Sequence, residues 1–184
     1  LDSGQIVALT AAHTVAFGKR ILPLTAIAFA DPVTGETTAQ LHTLLGKPGR
    51  RLAPDDLSID YLLLVVDQAV DPALLLAADP RGGPQPGERV LLYSGVGGHR
   101  LAGTVQSAGE RAVWVLMDEQ FDPGQMSGSP LVSQHTGRVV AMVVAASPRR
   151  GALLIGGHPI GSLVAHATAA GTHYALSAWS EDLR

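Results

Sequence analysis

Three short stretches of the sequence carry side chains that could act together in nucleophilic catalysis. His13 ends the stretch Thr-Ala-Ala-His, Asp60 begins Asp-Tyr-Leu-Leu-Leu, and Ser127 begins Ser-Gly-Ser-Pro. A serine hydroxyl is a poor nucleophile at neutral pH and needs a base within hydrogen-bond reach. Histidine suits that task because its pKa lies near neutrality, and a carboxylate on its far ring nitrogen holds the tautomer. The order histidine, aspartate, serine therefore predicts a base, an orienting group and a nucleophile.

Each of these residues also has an ordinary interpretation when it is taken alone. A histidine near the end of a strand is usually structural, and an aspartate before an apolar strand usually caps a turn. A loop rich in glycine and serine around Ser127 is common in proteins. Ser129 is a second candidate nucleophile in the same loop. The combination of all three stretches, well separated along the chain, favours the catalytic interpretation.

The composition excludes several other classes of function. The chain has 184 residues with 46% hydrophobic and 16% charged side chains, which is typical of a folded protein. Its net charge of −3 gives no electrostatic reason to bind nucleic acid, and no apolar run is long enough to span a membrane. Cysteine is absent, and the histidines lack metal-ligand spacing. We therefore expect no cofactor, no metal, no nucleic-acid partner and no membrane span.

The elements that would position these residues read as short strands separated by turns. Such a pattern predicts an all-β barrel or sandwich. One helix is predicted at Ile160–Ala170 with Ser162 as its N-cap, and a single helical turn at 10–15. A hairpin-like turn is expected at 31–35, a glycine-rich turn at 95–98, and a linker at 77–87. The predicted strands are Gln5–Leu9, Ile21–Phe29, Tyr61–Val66, Arg89–Tyr93, Leu101–Gln106, Ala112–Leu116 and Val139–Ala145, with another after Pro130.

These motifs resemble those of the trypsin-like (chymotrypsin-fold) serine peptidases, over roughly residues 5 to 165. The Ser-Gly-Ser-Pro form is similar to that of bacterial members such as the glutamyl endopeptidases. The resemblance implies two antiparallel six-stranded β-barrels with a short C-terminal helix. Residues 1–78 would hold His13 and Asp60, and residues 88–184 would hold Ser127 and the helix. It further implies His13 as general base, Asp60 as its orienting group and Ser127 as nucleophile.

The sequence departs from the family pattern at several points. The backbone N–H groups of Gln125 and Ser127 would form the oxyanion hole, but the family favours glycine where Gln125 stands. Either the turn carries an extra residue, or Gln125 adopts a glycine-like conformation. We expect the loop 124–126 to be collapsed or misoriented in the free protein. Met126 precedes the serine, which argues against activation by an ion pair with a new N-terminus. The first barrel is either short or lacks residues that precede Leu1.

The resemblance also indicates where the substrate side chain would be bound. Phe121 and the strand residues Val143, Val144 and Ala145 correspond approximately to the lining of the specificity pocket. No carboxylate is clearly placed at its base, although Asp122 is close in sequence. We therefore expect small or medium apolar residues on the acyl side of the cleaved bond, because an unpaired charge is costly in an apolar pocket.

The predicted function is a serine endopeptidase that hydrolyses peptide bonds through an acyl-enzyme intermediate. The alternative is a catalytically impaired trypsin-like fold that binds peptides or acts as a scaffold. An esterase using the same triad is chemically possible. The expected partner is a peptide or protein substrate, and the oligomeric state is left open. The resemblance favours a secreted or periplasmic location, although no signal peptide is visible from Leu1 onward.

Overall fold

The computed structural model describes residues 4–15, 24–31, 33–50, 56–93 and 98–182. This part of the chain is built mainly of antiparallel strands, with two α-helices, α1 (Ile160–Ala169) and α2 (Leu176–Asp182). The strands are β1 (Val7–Thr10), β2 (Ile27–Ala30), β3 (Thr37–Leu41), β4 (Thr43–Leu45), β5 (Leu62–Val65), β6 (Arg89–Tyr93), β7 (Arg100–Ala108), β8 (Val113–Met117), β9 (Pro130–Ser133), β10 (Val139–Arg149), β11 (Ala152–Pro159) and β12 (His173–Ala175).

The second half of the chain closes into a six-stranded barrel in the order β10-β11-β8-β7-β6-β9. Alternation along the strands fills its interior, and in β8 the side chains of Val113, Val115 and Met117 are buried. Gly103 on β7 leaves the space that these side chains occupy, since an added Cβ would lie 2.6 Å from the Val115 Cγ1 atom. The barrel core is therefore packed by aliphatic side chains and methionine, and Phe121 covers it from one side.

The first half forms a four-stranded sheet, β1-β5-β4-β12, and a two-stranded hairpin, β2-β3. In the hairpin turn the Asp31 carboxylate accepts hydrogen bonds from the backbone N–H groups of Val33 and Thr34. The chain returns to this half at its end, because β12 pairs with β4 and the fully buried Leu176 of α2 packs in its core. The division into residues 1–78 and 88–184 remains a prediction, but the last strand belongs to the first sheet.

A third apolar cluster joins the two halves. It combines Leu57 and Leu63 of the first half with Met142 and Val144 of β10 and with the buried face of α1. Burial at about 25 cal/mol per Å² of apolar surface makes such a seam a main source of stability. The seam matters for function because residues on opposite sides of it must be aligned.

The segment 77–87, predicted as a linker, is tied to the barrel by an ion-pair network. Arg81 contacts the buried carboxylate of Asp79 at 2.7 Å and that of Glu88 at 2.9 Å. Thr136 donates a further hydrogen bond to Asp79, and Ser133 donates one to Glu88. The hydrogen bonds from Arg81 hold the pKa of Asp79 well below its usual range and lower that of Glu88 to about 2. This linker is therefore fixed in place.

The all-β fold class is confirmed, and most predicted elements are present. Strand β6 has the predicted bounds, and the helical turn is a 3-10 helix at Ala12–Thr14. The N-cap prediction was wrong, because Pro159 occupies that position and Ser162 lies inside the first turn of α1. Residues 21–23 of one predicted strand and 95–97 of the glycine-rich turn lie outside the described residues. Strands β3, β4, β11 and β12 were not predicted.

Among the residues that the structure describes, no helix is both long and apolar enough to cross a membrane. The same residues contain no group of three or more histidine, aspartate or glutamate side chains that could hold a metal ion.

Candidate active site

The pairing of β1 with β5 brings His13 and Asp60 to one end of the first sheet. The two strands are antiparallel, and Thr10 at the end of β1 lies opposite Leu62 at the start of β5. His13 follows β1 in a 3-10 turn that is closed by hydrogen bonds from Thr14 to the Ala11 carbonyl. Asp60 ends a second 3-10 turn and lies two residues before the first residue of β5. The strand register therefore places two residues that are far apart in sequence side by side.

His13 makes two hydrogen bonds to the same carboxylate. Its Nδ1 atom lies 2.7 Å from Asp60 Oδ2, and its backbone N–H donates to Asp60 Oδ1 at 3.0 Å. An ionised carboxylate can only accept hydrogen bonds, so Nδ1 must carry the proton. The opposite ring nitrogen, Nε2, is then an acceptor. Asp60 is fully buried, whereas the His13 side chain is 26% exposed, so the imidazole is accessible to solvent and the carboxylate is not.

Ser127 lies on the opposite side of His13, in the loop between β8 and β9. Its Oγ atom is 2.6 Å from His13 Nε2, so the hydroxyl proton points at a nitrogen that can accept it. Ser129, the second candidate, forms backbone hydrogen bonds to Met126 and Val143. The histidine therefore pairs with the Ser127 hydroxyl.

Gly128 allows the loop to approach β1 closely. Its φ is +89°, a region that favours glycine, and an added Cβ would lie 2.9 Å from the Thr10 Oγ1 atom. The Gly128 N–H donates to the Val143 carbonyl at 2.8 Å, which fixes the loop to β10. Both restrictions keep Ser127 close to the strand that precedes His13.

Gln125 adopts a conformation that is unusual for its residue type. Its φ of +67° is the only positive value of a non-glycine residue among those described. The Met126 N–H donates to the Pro123 carbonyl at 3.2 Å, so Gln125 is the third residue of a type II turn, where φ is positive. Gln125 thus adopts the glycine-like conformation that the sequence offered as one of two alternatives. A left-handed conformation costs about 1–2 kcal/mol for such a residue.

The predicted oxyanion donors carry no protein hydrogen bond in this loop. None of the described residues accepts a hydrogen bond from the backbone N–H of Gln125 or of Ser127. Neighbouring N–H groups are occupied, since Gly124 donates to the Asp122 carboxylate at 2.9 Å. Convergence of the Gln125 and Ser127 N–H groups on one point stays a prediction.

The residues predicted to line a specificity pocket are divided between the barrel core and the seam, and they differ in exposure. Val143 is enclosed in the barrel core, and Val144 in the seam between the halves, and each is 2% exposed. Ala145 is half-buried at the seam, and Phe121 is half-buried against the barrel core. Phe121 and Ala145 are therefore the members of the set with surface left to contact a substrate.

An aromatic group next to Asp60 was not predicted from the sequence. The Tyr61 ring stacks on His166 of α1, with ring centroids 4.5 Å apart, and meets His158 of β11 edge-on at 5.5 Å. His158 is completely buried, and neither ring nitrogen has a well-aligned hydrogen-bond partner among the described residues, although the Asp60 backbone lies close enough to act on its pKa. Burial, followed by the nearby His166, lowers the pKa of His158 to about 4. The sequence signal was limited to a histidine inside a Gly-Gly-His-Pro stretch.

A comparison with solved structures decides the fold. The chain superposes on kallikrein-related peptidase 10 with a TM-score of 0.55 over 88% of this chain and 82% of that one. The fold is that of the trypsin-like serine peptidases. The sequence identity of 18% is low, so the likeness describes the fold alone. No protein-family model and no curated protein matched the sequence.

Within the trypsin-like fold, the closed barrel is the half that carries Ser127, and the four-stranded sheet is the half that carries His13 and Asp60. The hydrogen-bonded chain of Asp60, His13 and Ser127 thus crosses the seam between the halves, since His13 Nε2 and Ser127 Oγ come from opposite sides. Any chemistry at this site requires the two halves to be held in register.

Proposed function

We propose that this protein is a serine endopeptidase that works through an acyl-enzyme intermediate. The single observation that carries the proposal is the continuous hydrogen-bonded chain from Asp60 through His13 to Ser127, with contacts of 2.7 and 2.6 Å. A carboxylate, an imidazole and a hydroxyl in this order can move one proton in each direction during acyl transfer.

In the first half of the reaction, Ser127 Oγ attacks the carbonyl carbon of the peptide bond. His13 Nε2 takes the hydroxyl proton as the new C–O bond forms, and the resulting imidazolium is stabilised by Asp60. The tetrahedral intermediate collapses when the C–N bond breaks and His13 returns the proton to the leaving amine. The acyl group then remains on Ser127 as an ester.

In the second half, a water molecule replaces the amine. His13 removes a proton from the water, the hydroxide adds to the acyl carbon, and the Ser127 oxygen leaves with the proton that His13 returns. The exposed part of the His13 ring gives water access to the base, whereas the buried carboxylate of Asp60 keeps its orientation.

The negative charge on the carbonyl oxygen would be bound by the backbone N–H groups of Gln125 and Ser127. Their lack of protein partners supports this role, because a donor must be available for the oxyanion. The type II turn at Gln125 would hold the first donor, and the approach of Gly128 to Thr10 would hold the second.

For the substrate, we propose a peptide with a small or medium apolar residue on the acyl side of the cleaved bond. The exposed surfaces of Phe121 and Ala145 are apolar, and β10 carries Met142, Val143 and Val144 without a histidine. The Ser-Gly-Ser-Pro motif resembles that of the glutamyl endopeptidases. The β10 residues argue that this chain does not share a preference for glutamate.

One observation favours the second candidate, an impaired fold that binds peptides without cleaving them. Gln125 has a positive φ that strains a glutamine but would not strain a glycine. A turn in which the φ of this residue is negative therefore competes with the observed one. Turnover of peptide nitroanilides and of matched p-nitrophenyl esters separates the candidates. A peptidase cleaves both and shows an acylation burst that Ser127→Ala removes. An esterase cleaves only the esters, and a binding module retains peptide affinity with no burst.

A further inference from the structure

Three aromatic rings meet at the seam between the two halves, directly beside Asp60. Tyr61 follows Asp60 in the chain, His158 is on β11, and His166 is on α1. The Tyr61 and His166 rings are close to parallel, at 18°, whereas His158 stands at 67° to Tyr61 and at 82° to His166. We refer to Tyr61, His158 and His166 as the seam cluster. It contains one ring from the first half and two from the second.

The first half fixes the backbone on either side of Asp60. The Gly49 N–H donates to the Tyr61 carbonyl at 2.9 Å, and the Arg50 N–H donates to the Ile59 carbonyl at 2.6 Å. Gly49 is required for this approach, since an added Cβ would lie 2.3 Å from the Ile59 carbonyl oxygen. The segment 59–61 is therefore bonded to its own half along one edge.

The second half holds the same segment through the Tyr61 ring. Stacked and edge-to-face ring pairs stabilise a contact beyond the burial of their apolar surface. The ring of His158 is completely buried and lies against the Tyr61 ring, with the Asp60 backbone close beside it. A positive charge on this ring would lie near Asp60 and compete with His13 for its carboxylate, and the lowered pKa keeps the ring neutral.

We infer that His158 and His166 are positioning residues that fix the Tyr61 ring between them. Through Tyr61 they hold Asp60 toward His13, and they keep the first half aligned with Ser127. The inference rests on the proposed function. His13 and Asp60 come from one half and Ser127 from the other, so a shift at the seam changes the distance between Nε2 and Oγ. Displacements of about 1 Å at a reacting centre can reduce a rate by about a hundredfold.

The test uses His166 first, because this side chain is exposed and its replacement leaves the core intact. His166→Ala removes the stack, His166→Phe restores it, and His135→Ala on an exposed barrel loop is the matched control. We expect His166→Ala to lower kcat about tenfold with KM within twofold of the parent. His166→Phe should recover kcat to within twofold, and His135→Ala should leave it unchanged. A second pair changes His158. His158→Leu should also lower kcat about tenfold, and His158→Phe should recover kcat to within twofold of the parent.

A readout independent of turnover is the low-field proton resonance of His13 Nδ1–H in its bond to Asp60. We expect it to shift or broaden in His166→Ala and to return in His166→Phe. An unchanged resonance and kcat in His166→Ala and His158→Leu would overturn the inference. Equal damage in the alanine and phenylalanine variants would also overturn it, because the ring would not be what matters. If the parent protein shows the resonance but no turnover, the proposed function fails while the resonance still tests the cluster.

Discussion

Thr10 at the end of β1 lies directly opposite Leu62 at the start of β5, and this pairing sets the position of both His13 and Asp60. Three residues beyond Thr10 the chain reaches His13, and two residues before Leu62 it reaches Asp60. A slip of the strand by one residue would turn alternate side chains to the opposite face. The buried leucines of β5 therefore protect the site geometry as well as the core.

Replacement of the buried carboxylate should separate its orienting role from simple packing. Asp60→Asn keeps the size but offers His13 Nδ1 an amide, which permits the wrong ring tautomer. We expect kcat to fall by about 10⁴ while the fold is retained. The measurement is steady-state kinetics on a peptide nitroanilide. Asp56→Asn is the matched control because Asp56 caps the preceding 3-10 turn through its Oδ1 atom, and asparagine can do the same. Similar losses in both variants would contradict the assigned role of Asp60.

The turn at Gln125 should respond in opposite directions to glycine and proline. Gln125→Gly removes the strain of φ +67° and should stabilise the fold by about 1 kcal/mol with kcat equal or higher. Gln125→Pro forbids this φ and deletes the N–H, so kcat should fall by about 10²–10³. Thermal melting and kinetics check both effects. A glycine variant with clearly reduced kcat would contradict this account, because it would show that catalysis depends on the Gln125 side chain and not on its backbone.

The buried His158 should make the fold sensitive to acid above the range in which the carboxylates titrate. Its pKa is about 4 in the folded protein and near 6.5 when unfolded, so the unfolded chain binds the proton more readily between these values. Its contribution lowers the free energy of unfolding as the pH falls from 6.5 to 4, by about 3 kcal/mol in total. Among the described residues, the charged or titratable groups around it are Asp56, Asp60, Tyr61 and His166.

Urea unfolding at pH 7 and pH 4.5 of the parent and of His158→Phe measures this contribution. The phenylalanine variant should lose less stability between the two pH values than the parent. Glu88, with a pKa of about 2, loses its contribution only as the pH falls below about 4.5, so it acts in a lower window. Identical losses in parent and variant would show that His158 is not the acid-sensitive group.

Two arginines offer a comparison between a network on a buried carboxylate and an exposed pair. Arg81→Gln leaves the buried Asp79 without its cation, whereas Arg89→Gln breaks a pair with Asp118 in which both side chains are more than 40% exposed. We expect Arg81→Gln to lower the melting temperature clearly. The change for Arg89→Gln should lie within the range of ordinary surface substitutions. Differential scanning calorimetry at pH 7 distinguishes them, and an equal effect would mean that the linker is not held by this network.

The elements predicted best from the sequence are those in which local pattern and environment agree. Strand β6 alternates between buried and exposed side chains, and its bounds were predicted to the residue. Strand β11 was not predicted because Gly156 and Gly157 resemble turn residues. The structure explains both glycines, since a Cβ at Gly156 would lie 2.7 Å from Leu57 and one at Gly157 would lie 2.9 Å from Ala141. Close approach, across the seam at Gly156 and between barrel strands at Gly157, is a tertiary requirement that local sequence does not reveal.

The residues of the candidate site also differ in how far the sequence predicts them. The identities of His13, Asp60 and Ser127 could be predicted because nucleophilic catalysis restricts the residue types. The seam cluster could not, because Tyr61, His158 and His166 are common residues whose meaning depends on three elements coming together. Val143 and Val144 lie on β10, within the strand that the sequence predicted. Their burial in the core was not predicted, because it depends on how β10 packs against the rest of the fold.

The most direct test of the proposed activity is labelling with a fluorophosphonate probe, with the modified residue located by mass spectrometry. The probe reacts only with a serine whose hydroxyl is activated, so it reports on the bond between His13 and Ser127 without a known substrate. We predict labelling of Ser127 in the parent, none in Ser127→Ala, and full labelling in Ser129→Ala. The absence of labelling in the folded parent, or attachment of the probe to Ser129, would contradict the account.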